Sequence, residues 1–296
     1  MRRMFLHPFI YEADKVASQT VACSLVARQS DVQFYYDGKQ YDLLELGAAW
    51  YRRPNVFVSD LPTQAKQFEL QHERSEVQAG LFGLVPDSKW LNAPGALVRA
   101  ELKLPQLQCA AALGFAVPTT VVANQMQAVQ ELLPYEDVVI KMVSGRLHDG
   151  NTLKMAYCTK LNQRQLKQME ANPFPGFWQP YISKKREWRI TVVGETFFEV
   201  AVETTNDAKD DWRKHQFTSN VTFRKAHFPS EYKEKCLEYL RHYDLRFGAF
   251  DFIEDIEGNM VFLECNPNGQ YAWLEISLGL PIAKAIAQEL ASIANP

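Results

Sequence analysis

The sequence predicts an α/β (α+β) protein, long enough for one large core or two to three smaller ones. Apolar residues at helical spacing alternate along the chain with short strand-like runs. Asp37-Gly38 and Gly194-Glu195 each join two such runs, which is typical of tight hairpin turns. The composition, 47% hydrophobic and 23% charged over 296 residues, is that of an ordinary globular protein.

Periodicity and turn residues predict the elements in order. Pro54 ends one strand, Pro105 kinks a helix, and Asn124 is expected to cap the next helix. Helices are expected over residues 14–28, 64–82, 95–113, 124–133, 162–170, 230–243 and 277–293. Strands are expected over 32–36, 39–46, 48–53, 89–92, 115–124, 137–143, 152–158, 177–182, 187–193, 196–202, 247–253 and 260–265.

Charge and composition argue against several classes of protein. The net charge is −3 and the basic run is the short segment 184–186, so the sequence does not predict a basic surface that binds nucleic acid. The sequence contains no apolar run of about 18 residues and no pattern of a cleaved signal, so we expect a cytoplasmic protein without a membrane partner. The five cysteines are scattered and form no C-x-x-C pair, so they are expected to fill the core.

Two acidic residues on neighbouring apolar strands form the first functional candidate. Asp251 is the acid within "FGAFDFI", and Glu264 ends "MVFLE", followed closely by Asn266. Buried carboxylates need a compensating cation, and hard oxygen donors suit Mg²⁺. The alternative is that both acids face solvent on a hairpin that ends in an ordinary Asn-Pro-Asn-Gly turn. Cys265, between two of these residues, should point to the opposite face and pack in the core.

A lysine at the end of a strand forms the second candidate. Lys141 ends "DVVIK", where an ammonium group is costly unless it meets an anion. The following loop, 144–151, begins with Ser144 and Gly145, and its backbone N–H groups can cover phosphates. Neither G-x-x-x-x-G-K nor G-x-G-x-x-G occurs in the chain. A flexible surface loop is the alternative for this segment.

The order of these motifs resembles the ATP-grasp superfamily of carboxylate-amine ligases. Lys103, "VVIKMVSG", "WQPYISKKREWRITVVG", "FDFI" and "FLECNPNGQ" follow one another from residue 91 to the C-terminus. More narrowly, "WYRRP", "DWRK" and "NPNGQYAWLE" look like the ligases that macrocyclise microviridin-type peptides, the graspetides. The resemblance implies an ATP-grasp fold in which an N-terminal α/β domain (1–90) precedes central (91–183) and C-terminal (184–296) parts with mixed or antiparallel sheets that enclose ATP.

The resemblance also implies a role for individual residues. Arg189 and Arg213 could otherwise be an exposed strand-edge charge and a solvated loop residue. The implied nucleotide-binding residues are Lys103, Lys141, Ser144 and Gly145 for the phosphates, Gln179, Tyr181 and Ile182 for adenine, and Glu187 for the ribose. The implied catalytic residues are Arg189, Arg213 and Arg224, which face the γ-phosphate and the acyl phosphate. The implied Mg²⁺ ligands are Asp251, Glu264 and Asn266, with Asn268 and Gln270 near the substrate.

The reaction implied by the resemblance is ATP-dependent ligation through an acyl phosphate. The cofactors would be ATP and Mg²⁺, and the partner a ribosomally made precursor peptide with a leader segment, crosslinked through its side chains. Two alternatives stay open: a ligase that adds free amino acids to a carboxylate, and a non-catalytic ATP-binding module. The sequence leaves undetermined the precursor, the number of rings, ester or amide chemistry, the leader-binding residues, and whether the protein is a homodimer.

Overall fold

The computed structural model describes residues 10, 21–25, 32–36, 38–52, 64–141, 146–149, 152–155, 158–169, 175–205, 211–215 and 218–295. The helices are α1 (Gln64–Gly83), α2 (Pro94–Ala100), α3 (Lys103–Ala112), α4 (Met126–Leu132), α5 (Gln163–Gln168), α6 (Ser230–His242), α7 (Ala272–Leu278) and α8 (Ile282–Ala294). The first strands are β1 (Val21–Leu25), β2 (Val32–Tyr36), β3 (Lys39–Asp42), β4 (Val121–Ala123), β5 (Asp137–Lys141), β6 (Arg146–Asp149) and β7 (Thr152–Met155). The others are β8 (Thr159–Asn162), β9 (Gly176–Pro180), β10 (Lys184–Val193), β11 (Thr196–Thr204), β12 (Val221–Lys225), β13 (Phe247–Asp255) and β14 (Met260–Asn266).

A five-stranded antiparallel sheet in the order β12-β11-β10-β13-β14 organises the C-terminal half. Successive side chains of a strand point to opposite faces of the sheet. One face is apolar: Ile190, Phe250, Phe252 and Phe262 are fully buried and belong to one core with Tyr239 of α6. This core also contains residues of α3, so α3 and α6 both pack on that face.

The opposite face of the same sheet has two parts, one packed against helices and one lined with polar side chains. Val193, Phe198 and Phe247 pack against α7 and α8 in a second core that includes Leu274 and Ile282. The remaining part carries the polar side chains of β10, β13 and β14. The sheet therefore presents its charged residues beside a rigid, well-packed support.

Three smaller sheets complete the described structure. They are β1-β2-β3, β4-β9-β5-β8 and the hairpin β6-β7, all antiparallel. The four-stranded sheet has its own core, in which Trp178 is fully buried and donates its indole N–H to the Ala123 carbonyl at 3.0 Å. None of the described helices is long and apolar enough to cross a membrane.

Several expected elements differ from those observed. Val21–Leu25, expected within a helix, is a strand because it pairs along its whole length with β2. The helix expected over 95–113 is broken at Glu101–Leu102, and Pro105 lies in the first turn of α3, where its missing N–H costs nothing. The last helix begins only at Ile282, because Gly279 (φ 61°) ends α7 in the left-handed conformation.

The sequence predictions also misplaced a helix cap and a strand, and they missed several short strands. Ala49 makes only an isolated bridge to Trp90, so the described part of 48–53 is not a strand. Gln125 replaces Asn124 as the cap of α4, without a side-chain hydrogen bond. Residues 146–149, expected in a loop, form β6, while β8 and β12 were not anticipated.

Other predicted elements are confirmed. They are the helices near 64–82 and 230–243, both hairpin turns, and the strands of the acidic pair. The domain boundaries stay a prediction.

Candidate active site

The centre of the candidate site is a row of three charged residues across neighbouring strands. Arg189 of β10 lies directly opposite Asp251 of β13, which lies directly opposite Glu264 of β14. Side chains that face each other across strands lie on the same face of a sheet, so all three point the same way. Two carboxylates in such a pair repel each other unless positive charge compensates them.

Positive and polar groups surround the two carboxylates. Arg189 donates from Nη1 to both Asp251 oxygens at 2.9 and 2.8 Å. Lys103 at the start of α3 forms an ion pair with Glu264. The Asn266 amide nitrogen donates to one oxygen of each acid, at 3.1 Å in both cases. The structure thus brings Lys103, Arg189, Asp251, Glu264 and Asn266 together.

The electrostatics of the two acids are unequal. Burial raises the pKa of Asp251; Arg189 opposes this, and the charge of Glu264 adds to it, so the net shift is upward. Burial alone would also raise the pKa of Glu264. The attraction of Lys103, its hydrogen bond and the charge of Lys141 outweigh this, so the Glu264 pKa falls well below its usual range. Lys141 therefore lies close enough to act on the same cluster.

The donor set fits a hard divalent cation. Asp251 and Glu264 offer carboxylate oxygens, and half a turn of the Asn266 amide would present its oxygen to the same point. Within the described ranges, no group of three or more His, Cys, Asp or Glu residues is placed to hold a metal. A cation here would therefore need ligands from a substrate or from water, which is the usual coordination of Mg²⁺. Arg189 also has a buried Nε without a partner among the described residues, suited to an anion.

Arg213 approaches the cluster from the segment between β11 and β12. Its Nε and Nη2 donate to the Asp211 carboxylate at 2.8 and 2.6 Å, and Asp211 also accepts the Cys158 N–H at 2.9 Å. Burial alone would lower the pKa of Arg213, but Asp211, Glu264 and Asp251 raise it above its ordinary value. The guanidinium is thus anchored by one acid and acts on the other two.

The expected adenine hinge is partly committed to other contacts. The Tyr181 N–H donates to the Asp137 carbonyl at 3.0 Å, so it is not available to a base. The Gln179 side chain is buried and donates to Thr120 Oγ1 at 2.9 Å. The Ile182 N–H has no protein partner within the described part of the chain. Of the expected hinge N–H groups at Tyr181 and Ile182, that of Ile182 is the one left for a ligand.

Glu187 lies on the same face of β10 as Arg189, two residues away. It forms an ion pair with Lys184. Burial raises the pKa of its carboxyl, and Lys184 offsets this only in part, so the pKa stays above its ordinary value. Glu187 is therefore a partly buried acid beside the cluster, and its expected contact with the ribose stays a prediction.

Arg224 is not brought to this cluster. It lies opposite Ala201, which lies opposite Trp188, so the register directs its side chain to the face away from Arg189. The side chain is exposed and pairs with Glu203 at 3.1 Å. The expectation that it faces a phosphate failed because strand alternation sets the face. Ser144 and Gly145 lie outside the described residues, so their expected role stays a prediction.

The turn after β14 is held by a residue that the sequence did not indicate. Asn92 is buried, and its amide nitrogen donates to the Phe247 and Pro267 carbonyls at 2.8 Å each. Its oxygen accepts the Arg246 and Phe247 N–H groups at 2.8 and 3.1 Å. Every strong hydrogen-bonding position of this amide is used. Asn92 thereby fixes the turn that carries the expected substrate-vicinity residues.

Gly269 in this turn has no room for a side chain. A Cβ atom there would lie 2.6 Å from Ala249 Cβ and 3.0 Å from Arg189 Nη2. Asn268 beside it is buried, whereas Gln270 is exposed and accepts an Arg189 hydrogen bond on its carbonyl at 3.3 Å. The glycine therefore allows the turn to approach the arginine closely, a signal that the "NPNGQ" motif does contain.

Gln106 is a second residue missed from the sequence. It is buried on α3, one turn after Lys103, and its amide pairs with both backbone groups of Cys265 at 2.9 Å. Cys265 is buried in the core, as predicted. This pairing satisfies the Cys265 backbone at the outer edge of β14 and fixes Lys103 relative to Glu264.

We expect Gln106→Leu to lower the free energy of unfolding by about 3 kcal/mol, because two buried backbone groups lose their partners at about 1–3 kcal/mol each. Urea unfolding monitored by tryptophan fluorescence measures this. Gln108→Leu is the matched control, since Gln108 is exposed on the same helix. An equal loss in both variants would contradict a specific role for Gln106.

The fold of this chain is shared with several solved structures. No family model and no curated protein sequence matches the chain. Among solved structures, the chain is similar to the macrocyclase MdnC bound with precursor peptide MdnA from Microcystis aeruginosa, with a TM-score of 0.81 and 26% identity over 96% of this chain and 91% of that one. It is also similar to a Chryseobacterium gregarium RiPP-associated ATP-grasp ligase in complex with ADP and a leader and core peptide, with a TM-score of 0.82 and 25% identity over 95% and 87%.

A third structure, the macrocyclase MdnB from Microcystis aeruginosa, has a TM-score of 0.75 at 24% identity over 96% of this chain and 90% of that one, and supports the fold. The expected ATP-grasp fold is therefore confirmed, and the chain is an ATP-grasp ligase. Within that class it resembles the macrocyclases of ribosomally made peptides, as the motifs predicted.

Proposed function

We propose that this protein uses ATP and Mg²⁺ to join carboxylate side chains of a ribosomally made precursor peptide to hydroxyl or amine side chains of the same peptide. The observation that carries the proposal is the row Arg189–Asp251–Glu264 with Lys103 beside it, on a fold shared almost end to end with precursor-bound ligases. A cation-binding acid pair among anion-binding groups is what phosphoryl transfer to a carboxylate requires.

The proposed reaction has two steps. A carboxylate oxygen attacks the γ-phosphorus of ATP and ADP leaves, which forms an acyl phosphate. A hydroxyl or amine then attacks the acyl carbon, phosphate leaves, and the nucleophile loses its proton. The net result is one new ester or amide bond for each ATP converted to ADP and phosphate.

In this proposal the residues of the site have distinct roles. Asp251, Glu264 and Asn266 would hold Mg²⁺, which would supply positive charge next to the transferring phosphoryl group. Arg189 and Arg213 stabilise the negative charge that moves onto the acyl phosphate, since each is fixed by a carboxylate at 2.6–2.9 Å. The proposed phosphate-binding residues are Lys103, Lys141, Ser144 and Gly145, and Glu187 is proposed for the ribose. In the adenine hinge of Gln179, Tyr181 and Ile182, the Ile182 N–H is the proposed donor, because the Tyr181 N–H and the Gln179 side chain already have protein partners.

The partner in this proposal is a peptide with a leader segment. The α/β segment before residue 91 includes a three-stranded sheet and the twenty-residue helix α1, more surface than an ATP site requires. A leader docked there would hold the core peptide near the γ-phosphate, so that an attack between two molecules becomes effectively intramolecular. A cytoplasmic location belongs to the same proposal, and Asn268 and Gln270 would lie near the core peptide.

The test is to incubate the enzyme, ATP and Mg²⁺ with the precursor peptide encoded next to its gene, with and without the leader. We expect the mass of the product to fall by one water per ring, and ring formation to drop when the leader is removed. An increase in product mass by one amino-acid residue would instead support the ligase that uses free amino acids. ATP binding with no peptide-dependent ADP release would support the non-catalytic module.

A further inference from the structure

Arg52, within the "WYRRP" motif, is a half-buried cation beside the turn that follows β14. Its guanidinium carbon lies 5.8 Å from the ring centre of Trp50 and 5.5 Å from that of Tyr271. Its Nη1 donates to the carbonyl and the side-chain oxygen of Asn268, both at the long distance of 3.3 Å. These are neutral and weak partners for a charged group.

Among the residues that the structure describes, no acid balances the charge of Arg52. Arg189 and Arg213 each have a carboxylate at 2.8 Å or less. For Arg52, no carboxylate of the described residues lies within ion-pair distance, and burial lowers its pKa, with Tyr271 opposing this. A partly desolvated guanidinium without an anion is unfavourable, and its planar set of donors matches a carboxylate.

Arg52 and Arg189 hold the same turn from two directions. Arg52 contacts Asn268, while Arg189 Nη2 donates to the Gln270 carbonyl at 3.3 Å. The turn is closed by the Gly269 N–H, which donates to the Asn266 carbonyl at 3.1 Å. Arg52 therefore contacts a residue that lies two positions along the chain from an expected Mg²⁺ ligand.

We propose that Arg52 binds the side-chain carboxylate of the peptide that is about to be phosphorylated. This inference rests on the proposed function and adds the residue that recognises the acid. The rings of Trp50 and Tyr271 line the guanidinium with apolar surface, which suits the methylene groups of an Asp or Glu side chain better than a strongly hydrated triphosphate.

The experiment combines a change in the enzyme with a change in the peptide. The precursor peptide encoded next to the gene, and a version with its core Asp and Glu changed to Asn and Gln, are each titrated against enzyme loaded with ADP and Mg²⁺. We expect wild-type enzyme to bind the acidic peptide about tenfold or more tightly than the amide peptide, because a guanidinium–carboxylate bond is charge-assisted. In Arg52→Gln this preference should fall to about twofold or less, with amide-peptide affinity unchanged.

Arg246→Gln is the matched control. Arg246 pairs with Glu289 at 2.8 Å and belongs to neither the acid cluster nor the turn, so the full preference should remain. A preference that persists in Arg52→Gln would overturn the inference. So would an equal loss for both peptides, which indicates a structural role, or a loss of ADP affinity, which indicates a phosphate contact. Wild-type enzyme that binds neither peptide would overturn the proposed function and the carboxylate assignment with it.

Discussion

Replacing Asp251 by Asn or Glu264 by Gln is expected to reduce ADP formation about a thousandfold or more, since each change removes several kcal/mol of charge stabilisation around a bound cation. The two acids face each other across β13 and β14 and share the Asn266 amide. Each substitution keeps the shape of the side chain and removes its charge. Peptide-dependent ADP release, measured by a coupled assay at saturating Mg²⁺, gives the loss.

Glu203→Gln is the matched control for this prediction. Glu203 lies on β11 of the same sheet and pairs with the exposed Arg224 at 3.1 Å. Its removal should leave turnover within about twofold, because an exposed ion pair contributes about 0–1 kcal/mol. If Asp251→Asn and Glu264→Gln both kept turnover close to that of Glu203→Gln, the acid pair would not be the metal site.

Replacing Arg189 by Met is expected to remove activity and to lower the free energy of unfolding by about 3 kcal/mol, because a partly buried carboxylate loses its partner. Arg189 is buried and donates to both oxygens of Asp251. Guanidinium chloride unfolding of the protein without nucleotide or metal measures the loss.

The double variant Arg189→Met with Asp251→Asn separates stability from chemistry. Neutralising the acid removes the uncompensated charge, so most of the lost stability should return, while activity should stay absent. If Arg189→Met were as stable as wild-type protein, the ion pair would not contribute to the free energy of unfolding. Activity in the double variant would contradict the proposed roles of both residues.

The sequence by itself determined the strands of the acid pair, and the resemblance of its motifs to the ATP-grasp superfamily predicted the fold. Asp251 stands alone among apolar residues, and Glu264 ends an apolar run before Pro267, so local patterns were enough to place them. Lys141 ends β5 as the apolar run before it predicts, and its charge lowers the pKa of Glu264, while its contact with phosphates stays a prediction. Strand patterns and turn residues depend on a few neighbouring residues, which is why they can be read from a single chain.

The tertiary structure decided which side chains meet. Arg224 belongs to an edge strand of the same sheet, and the register of β11 and β12 turns it to the face away from Arg189. Gln106 reaches a strand 159 residues later in the chain, and Asn92 reaches a turn 175 residues later. Arg52 meets Asn268 over 216 residues. Such contacts depend on how separate elements pack, and no local spacing encodes them. Only the folded chain therefore shows which polar groups meet at the site.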